Sequence, residues 1–433
     1  MSHLFHKHIR RLVCWCLPLI SGTPLLAQPL LTLEEVVHRV IINNLDIQVA
    51  RNKQRITAKN HHIGQAGFLP SLDAHGSLNA AHSTWPKNPN FNTIDSSAGL
   101  GLRWTAFNGM QRIATYQHLG KLSQISQLET RKKIEEKVAE AIIGYYDISL
   151  AQKKERVLED CLLISQKVLQ LTKVKYEIGQ CSKLEYLNAQ VQHNEEQAQI
   201  LLHQESLATA KLALLRLMGK DGLGDFSIVE DIPLAPRLSR EALVHSLAVA
   251  NSGILIAQKH CEDAALAVRI QQSKLWPHVE LALRYDLGRE RHNQKWEATP
   301  RSLKYGVSVN FNLFNAFRHT TAIQEAGIKA NSTQLNLQAQ QLQLEYELKK
   351  YFLIYTQCLE RYELVQQHMQ VSQENVAMSL EQYRLGSITL LTLDKAKQSA
   401  QEAALKYWQV LHDTKVAEIM LQKLGGTLLD TTY

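Results

Sequence analysis

Residues 108–176 read NGMQRIATYQHLGKLSQISQLETRKKIEEKVAEAIIGYYDISLAQKKERVLEDCLLISQKVLQLTKVKY, with no proline and only Gly109, Gly120 and Gly144 as breakers. Ala, Gln, Leu, Lys and Glu dominate, all good helix formers. One helix over residues 110–176 would be about 100 Å long at ~1.5 Å per residue, far more than a globular domain needs. Ile134, Val138, Ala141, Tyr145 and Ile148 step alternately by four and three, as do Val157, Cys161, Ile164, Val168 and Leu171. That is the heptad spacing of a coiled-coil seam, weakened where Gln or Glu takes a seam position.

The stretch occurs twice. Pro70 recurs as Pro277, 207 residues later, and at the same offset Phe107 recurs as Phe314, Tyr176 as Tyr383, Gly179 as Gly386, Leu217 as Leu424 and Gly219 as Gly426. Upstream, Glu34 pairs with Glu241, Asn44 with Asn251 and Ile47 with Ile254. Such self-similarity marks a duplicated unit. The chain divides into a leader at 1–27, a first repeat at 28–219, a linker at 220–236, a second repeat at 237–426 and a tail at 427–433. In the second copy Leu348, Phe352, Tyr355, Leu359 and Tyr362 carry the seam, continued by Met369, Val376, Leu380 and Tyr383.

Each unit opens with a helix, predicted from Thr32 to about residue 65 and from Ser239 to about 274, with Thr32 and Glu35 as a capping box in the first. Two strands follow. Leu72, Ala74, Gly76 and Leu78 alternate with polar residues, then Ala98, Leu100, Leu102 and Trp104. The second unit does the same with Val279, Leu281, Leu283 and Tyr285, then Tyr305, Val307, Val309 and Phe311. Period-two patterning gives each strand one apolar face. Charges on the other face, and Trp85, Trp104, Trp276, Tyr285, Trp296 and Tyr305 near strand ends, point to lipid rather than a soluble core. Polar stretches at 83–95 and 288–302, holding Pro86, Pro89 and Pro300, read as hairpin loops. Glycine then closes the long helix at Gly179 and Gly386, and a return helix runs to Leu217 and Leu424.

Composition is consistent with export. The 433 residues are 45% hydrophobic and 21% charged. Net charge is +7, and removing Lys7, Arg10 and Arg11 with the leader leaves +4. The remaining basic residues are interspersed with acids, which argues against a nucleic-acid surface. Lys7 to Arg11 forms a basic start, Leu12 to Ile20 an apolar core and Leu25-Leu26-Ala27 a cleavage site, the pattern of a secretory signal. No later stretch reaches ~18 apolar residues, so no transmembrane helix is expected. Cys161, Cys181, Cys261 and Cys358 match neither a zinc site nor a disulfide framework. No metal, cofactor or catalytic motif emerges, and the chain reads as a non-enzyme.

Open sheet edges cannot face lipid, and four strands cannot close a barrel. Several copies must therefore share one. The alternative is a soluble periplasmic coiled-coil scaffold or adaptor without a pore, which accounts for the helices and leaves the strands unexplained.

Here the sequence resembles the TolC-type outer-membrane efflux proteins over essentially the whole mature chain. Gly67-Phe68-Leu69-Pro70-Ser71-Leu72, Leu313-Phe314-Asn315, Tyr383-Arg384-Leu385-Gly386 and Leu424-Gly425-Gly426 carry the resemblance. It implies a mainly α fold with a small β part. The expected assembly is a homotrimer with a twelve-stranded barrel in outer-membrane lipid and a twelve-helix periplasmic tunnel. It further implies a passive channel of a tripartite efflux or type I secretion system in a Gram-negative outer membrane. The partners would be a periplasmic adaptor (membrane fusion) protein and an inner-membrane RND or ABC pump. By the same resemblance Tyr176, Gly179, Tyr383, Leu385, Gly386 and Ser387 form the adaptor-docking tip. The periplasmic gate falls on Glu185, Thr392, Asp394 and Lys395. Thr392 and Lys395 stand where some members carry acids, with Asp394 adjacent. Ser182-Lys-Leu-Glu185 also reads as a capping box, and that role is favoured for Glu185.

Overall fold

The computed structural model describes residues 30–85, 88–219, 226–229, 231–234, 237–292 and 295–431. The signal at 1–27, Pro86 and parts of the linker and tail lie outside the described residues, as do the side chains of Trp85 and Trp296.

Two short strands and two helices open the first unit and its junction with the second. β1 (Leu30–Leu31) pairs in parallel with β4 (Ser227–Ile228). The predicted first helix is two, α1 (Leu33–Asn43) and α2 (Leu45–Asn60). The break lies at Asn44, which is extended, with φ −61° and ψ 125°. Its carboxamide oxygen accepts from Asp46 N and Ile47 N, while Nδ2 donates to Leu217 O at 2.8 Å. Asn251 does the same between α5 (Arg240–Ala250) and α6 (Ser252–Ser273), donating to Leu424 O at 2.9 Å. The repeat thus extends to individual hydrogen bonds. Only half of the Thr32 capping box forms: Glu35 N donates to Thr32 Oγ1, but the Glu35 carboxylate pairs with Arg39.

β2 (Ser71–Trp85), β3 (Asn88–Asn108), β5 (His278–His292) and β6 (Lys295–Asn310) form one antiparallel sheet in the order β2-β3-β5-β6. The predicted loops at 83–95 and 288–302 are mostly ladder, paired as far as Trp85 with Asn88 and His292 with Lys295. Backbone hydrogen bonds do not require apolar side chains, so the hairpins outrun their hydrophobic band. Pro89 and Pro300 fall within strands at the two hairpin register shifts, where a missing N–H is tolerated. Tyr285 and Tyr305 accordingly lie inside the sheet, not at its ends.

The register brings the four apolar faces together. Leu72, Leu102, Leu283 and Tyr305 form one row, and Ala74, Leu100, Tyr285 and Leu303 the next. Most of these large side chains are exposed, Tyr305 at 83%. The opposite face is charged and cross-linked: His75 meets Asp286 at 2.9 Å, Arg284 meets Asp286 at 2.8 Å, and Arg103 meets Glu280 at 2.9 Å. From Val279 to Leu287 the apolar band is about 26 Å along the strand at ~3.3 Å per residue. Trp104, Trp276, Phe311, Phe314 and Phe317, all exposed, ring the junction of sheet and helices.

α3 (Gln111–Glu177) and α7 (Arg318–Arg384) are 67 residues each, and their first residues are 207 apart. α4 (Lys183–Leu217) and α8 (Leu390–Gly425) return beside them, and α9 (Leu428–Thr431) follows. α3 packs against α2, α4, α6 and α8, whereas α7 packs against α6 and α8. The seams match the heptads: Val138, Ala141, Tyr145 and Ile148 are buried in the main core, and Leu348 and Tyr355 in a second cluster. Among the described residues no helix is long and apolar enough to cross a membrane.

Candidate functional site

The two long helices end in matching turns. At the first, Gln180 N donates to Lys175 O and Gly179 N to Tyr176 O; at the second, Ser387 N donates to Gln382 O and Gly386 N to Tyr383 O. This paired pattern is the Schellman motif, which needs a left-handed residue just past the helix. Gly179 has φ 75° and Gly386 φ 80°. No atom stands within 4 Å of where a Cβ would sit at either. The backbone conformation therefore selects glycine here, and the space outside the turn is open. Around it Leu385 is 78% exposed, Ile178 62% and Tyr176 40%. Tyr176 stacks on Tyr186, ring centroids 5.7 Å apart.

Tyr383 behaves differently from its counterpart Tyr176. It is 1% exposed and packs with Val168, Ala189, Leu390 and Leu393. Its hydroxyl donates to Glu185 Oε1 at 3.1 Å and lies 2.9 Å from Thr172 Oγ1. Lys175 caps the Tyr383 carbonyl and lies over its ring at 4.1 Å from the centroid. Burial, with the nearby Glu185 adding to it, pushes the Tyr383 hydroxyl up to about 12, so it stays a donor. One side chain of α7 is thus held by three residues of the first hairpin. Glu185 serves this contact: Ser182 still accepts from Glu185 N at 3.2 Å, but the carboxylate goes to Tyr383, so the favoured capping-box role is only half made.

The other gate positions separate. Thr392 lies in the first turn of α8, its N–H donating to Oγ1 of the N-cap Thr389. Lys395 is exposed. Asp394 is half-buried and 3.7 Å from Lys397, and burial raises its carboxyl above the usual range. Lys397 belongs to a contact the sequence reading missed. Its Nζ lies 2.6 Å from Glu196 Oε1, with both side chains at most 4% exposed, joining α8 to α4. The signal was available: Leu390, Leu393 and Lys397 step by three and four, and Glu196 precedes the buried Ile200 by four. A charge at a seam position on each return helix needs a partner. Thr172 and Lys175 left no such mark.

The chain shares its fold with outer-membrane proteins of known structure. The CmeC outer membrane channel of Campylobacter jejuni superposes with a TM-score of 0.77 at 16% identity, covering 92% of this chain and 86% of that one. VceC of Vibrio cholerae, an outer membrane protein, gives 0.76 at 15% identity, covering 91% and 96%. Nodulation protein T of Rhizobium leguminosarum bv. trifolii is 21% identical over 382 residues, 86% of this chain and 80% of that protein. The family described as outer membrane efflux protein matches residues 36–220 and 244–427. Both halves of the duplication are therefore covered, and the chain belongs to that family, a non-enzymatic efflux channel of the outer membrane whose helices extend into the periplasm.

Proposed function

We propose that three copies of the chain close their sheets into one twelve-stranded barrel and their helices into a twelve-helix periplasmic tunnel. The sheet carries this reading. One face is apolar and exposed, the other is charged, and among the described residues β2 and β6 each have one edge without a partner strand. In lipid each unsatisfied backbone group costs several kcal/mol. Pairing β6 of one copy with β2 of the next removes both edges.

The pore is a passive conduit. An inner-membrane RND or ABC pump supplies the energy, and a periplasmic adaptor bridges it to the open turns around Tyr176, Gly179, Leu385, Gly386 and Ser387. Substrates leave by tripartite efflux or type I secretion. The bond from Tyr383 to Glu185 acts as a latch between the two hairpins of each copy, and an adaptor opens the tip by parting them. Thr392, Asp394 and Lys395 line the entrance beside it.

Planar-bilayer conductance tests this. A hydrogen bond to a charged group is worth about 1.5–3 kcal/mol, roughly ten- to a hundredfold in an equilibrium. Tyr383→Phe, and separately Glu185→Gln, should raise the open fraction of purified channels by a factor in that range. Conductance unchanged in both variants would remove the latch, and no conductance in any of them would remove the pore.

A further inference from the structure

Within one chain, α6 lies antiparallel on α3, and three polar contacts fix their register. Ser252 Oγ donates to Glu135 Oε2 at 2.9 Å, Lys121 Nζ lies 2.5 Å from Glu262, and His118 Nδ1 lies 2.5 Å from Asp263. The duplication makes α2 the counterpart of α6 and α7 the counterpart of α3, since Leu45 and Ser252 start their helices 207 residues apart, as do Gln111 and Arg318. Yet α2 packs against α1 and α3, and α7 against α6 and α8, so among the described residues each keeps one long flank without a neighbouring helix.

Moved by 207 residues, the Glu135–Ser252 contact becomes two leucines, and each ionic pair exchanges one charge for isoleucine, Lys121–Glu262 becoming Ile328–Arg55 and His118–Asp263 becoming Glu325–Ile56. Glu135 maps to Leu342 and Ser252 to Leu45; Lys121 maps to Ile328 and Asp263 to Ile56. These four side chains are 60–69% exposed in the single chain. Val49 and Leu335, 67% and 57% exposed, fill the two rows, which step by four and seven on α2 and by seven and seven on α7, spacings of a coiled-coil seam.

We propose that Leu45, Val49 and Ile56 on α2 of one copy dock against Leu342, Leu335 and Ile328 on α7 of the next, in the register that α6 and α3 adopt within each chain. This rests on the assembly proposed above and assigns where its helices meet and by what chemistry. The intrachain joint lies beside the pairing of β3 with β5 and uses directional polar contacts. The joint between copies lies beside the proposed pairing of β6 with β2 of the next copy and relies mainly on apolar burial, which salt does not screen. Glu325 and Arg55, counterparts of His118 and Glu262, are opposite charges at the same level and supply one ion pair at the seam.

Disulfide trapping tests the register. In the full chain, with its four mature cysteines replaced by alanine, Leu45→Cys combined with Leu342→Cys should shift most of the protein on oxidation from one-chain to covalent three-chain species. Glu135→Cys with Ser252→Cys should link within one chain and keep the one-chain mass. Light scattering in detergent counts the copies independently. A trimer whose 45/342 pair stays reduced, while Leu45→Cys with Gln338→Cys links instead, would overturn the register alone. A monomer in detergent would overturn the assembly and the seam with it. As a check that leaves the native cysteines in place, Leu342→Asp alone should lower the temperature at which the trimer dissociates, and an unchanged temperature counts against the seam.

Discussion

Lys397 and Glu196 place opposite charges where their helices otherwise bury Leu, Ile and Ala. Burying either alone would be costly, and the 2.6 Å contact offsets that cost without covering every group: Gln192 also donates to Glu196 Oε1, while Glu196 Oε2 is buried without a partner among the described residues. Such a pair stabilises weakly against an apolar replacement and strongly against losing one member. Lys397→Met should therefore destabilise the fold by about 3–5 kcal/mol, read as a lower denaturant midpoint, because Glu196 is left charged and buried. Lys397→Met with Glu196→Leu should recover most of that loss. If the double variant is no better than the single one, the pair does more than cancel its own desolvation. Its two members lie on different hairpins, one on α4 and one on α8, so it ties together the same halves that Tyr383 joins at the tip.

At the scale of elements, the helices were far more legible than the strands. A proline-free run of helix formers carrying heptads over 134–171 and 348–383 leaves no competing reading, and α3 and α7 begin and end within three residues of the expectation. The break at Asn44 was not legible, because an asparagine inside an apolar-periodic run costs little unless a distant carbonyl, here Leu217 O, waits for its amide. The strands were found by alternation, and alternation stops where the apolar band ends. The ladder continues to residue 85 because polar residues pair their backbones equally well. The lipid-facing assignment is therefore carried by the middle of each strand alone. Leu283, in the row with Leu72, Leu102 and Tyr305, lies near mid-band. Leu283→Arg should cost about 2–4 kcal/mol there, and Val309→Arg near the aromatic ring much less, about 0–1 kcal/mol. Recovery of assembled protein in the outer-membrane fraction reads the difference. Equal tolerance of both would mean that this face does not meet lipid.

Across the whole molecule the duplication organises both what is shared and what differs. Asn44 and Asn251 bond their return helices identically, yet Tyr383 is locked while Tyr176 is exposed, and Glu135 is buried while Leu342 is not. The differences fall where one repeat meets the other and, at Leu342, where we propose that one copy meets the next. A 207-residue period is visible in the sequence, but contacts between the two halves, apart from the seam charges Lys397 and Glu196, leave no mark in either copy alone. His412 is one of these. It is 7% exposed on α8 of the second repeat and reaches Asp147 on α3 of the first at 2.8 Å, with Asp413 at 3.4 Å. Burial pulls its pKa down, but hydrogen bonds to Asp147 and Asp413 and their charges outweigh that and raise it to about 9. An unfolded histidine titrates near ~6.5. The folded protein therefore holds its proton more tightly, so the stabilisation is complete below pH ~6.5 and is lost as pH climbs through about 9. Asp147 is half-exposed, so solvent screening leaves about 1–2 kcal/mol of it. Denaturant midpoints of the detergent-solubilised protein should fall between pH 6.5 and 9, and Asp147→Asn should flatten that fall while lowering the midpoint at pH 6. A midpoint that rises over this interval would mean that the two repeats are not joined through a protonated His412.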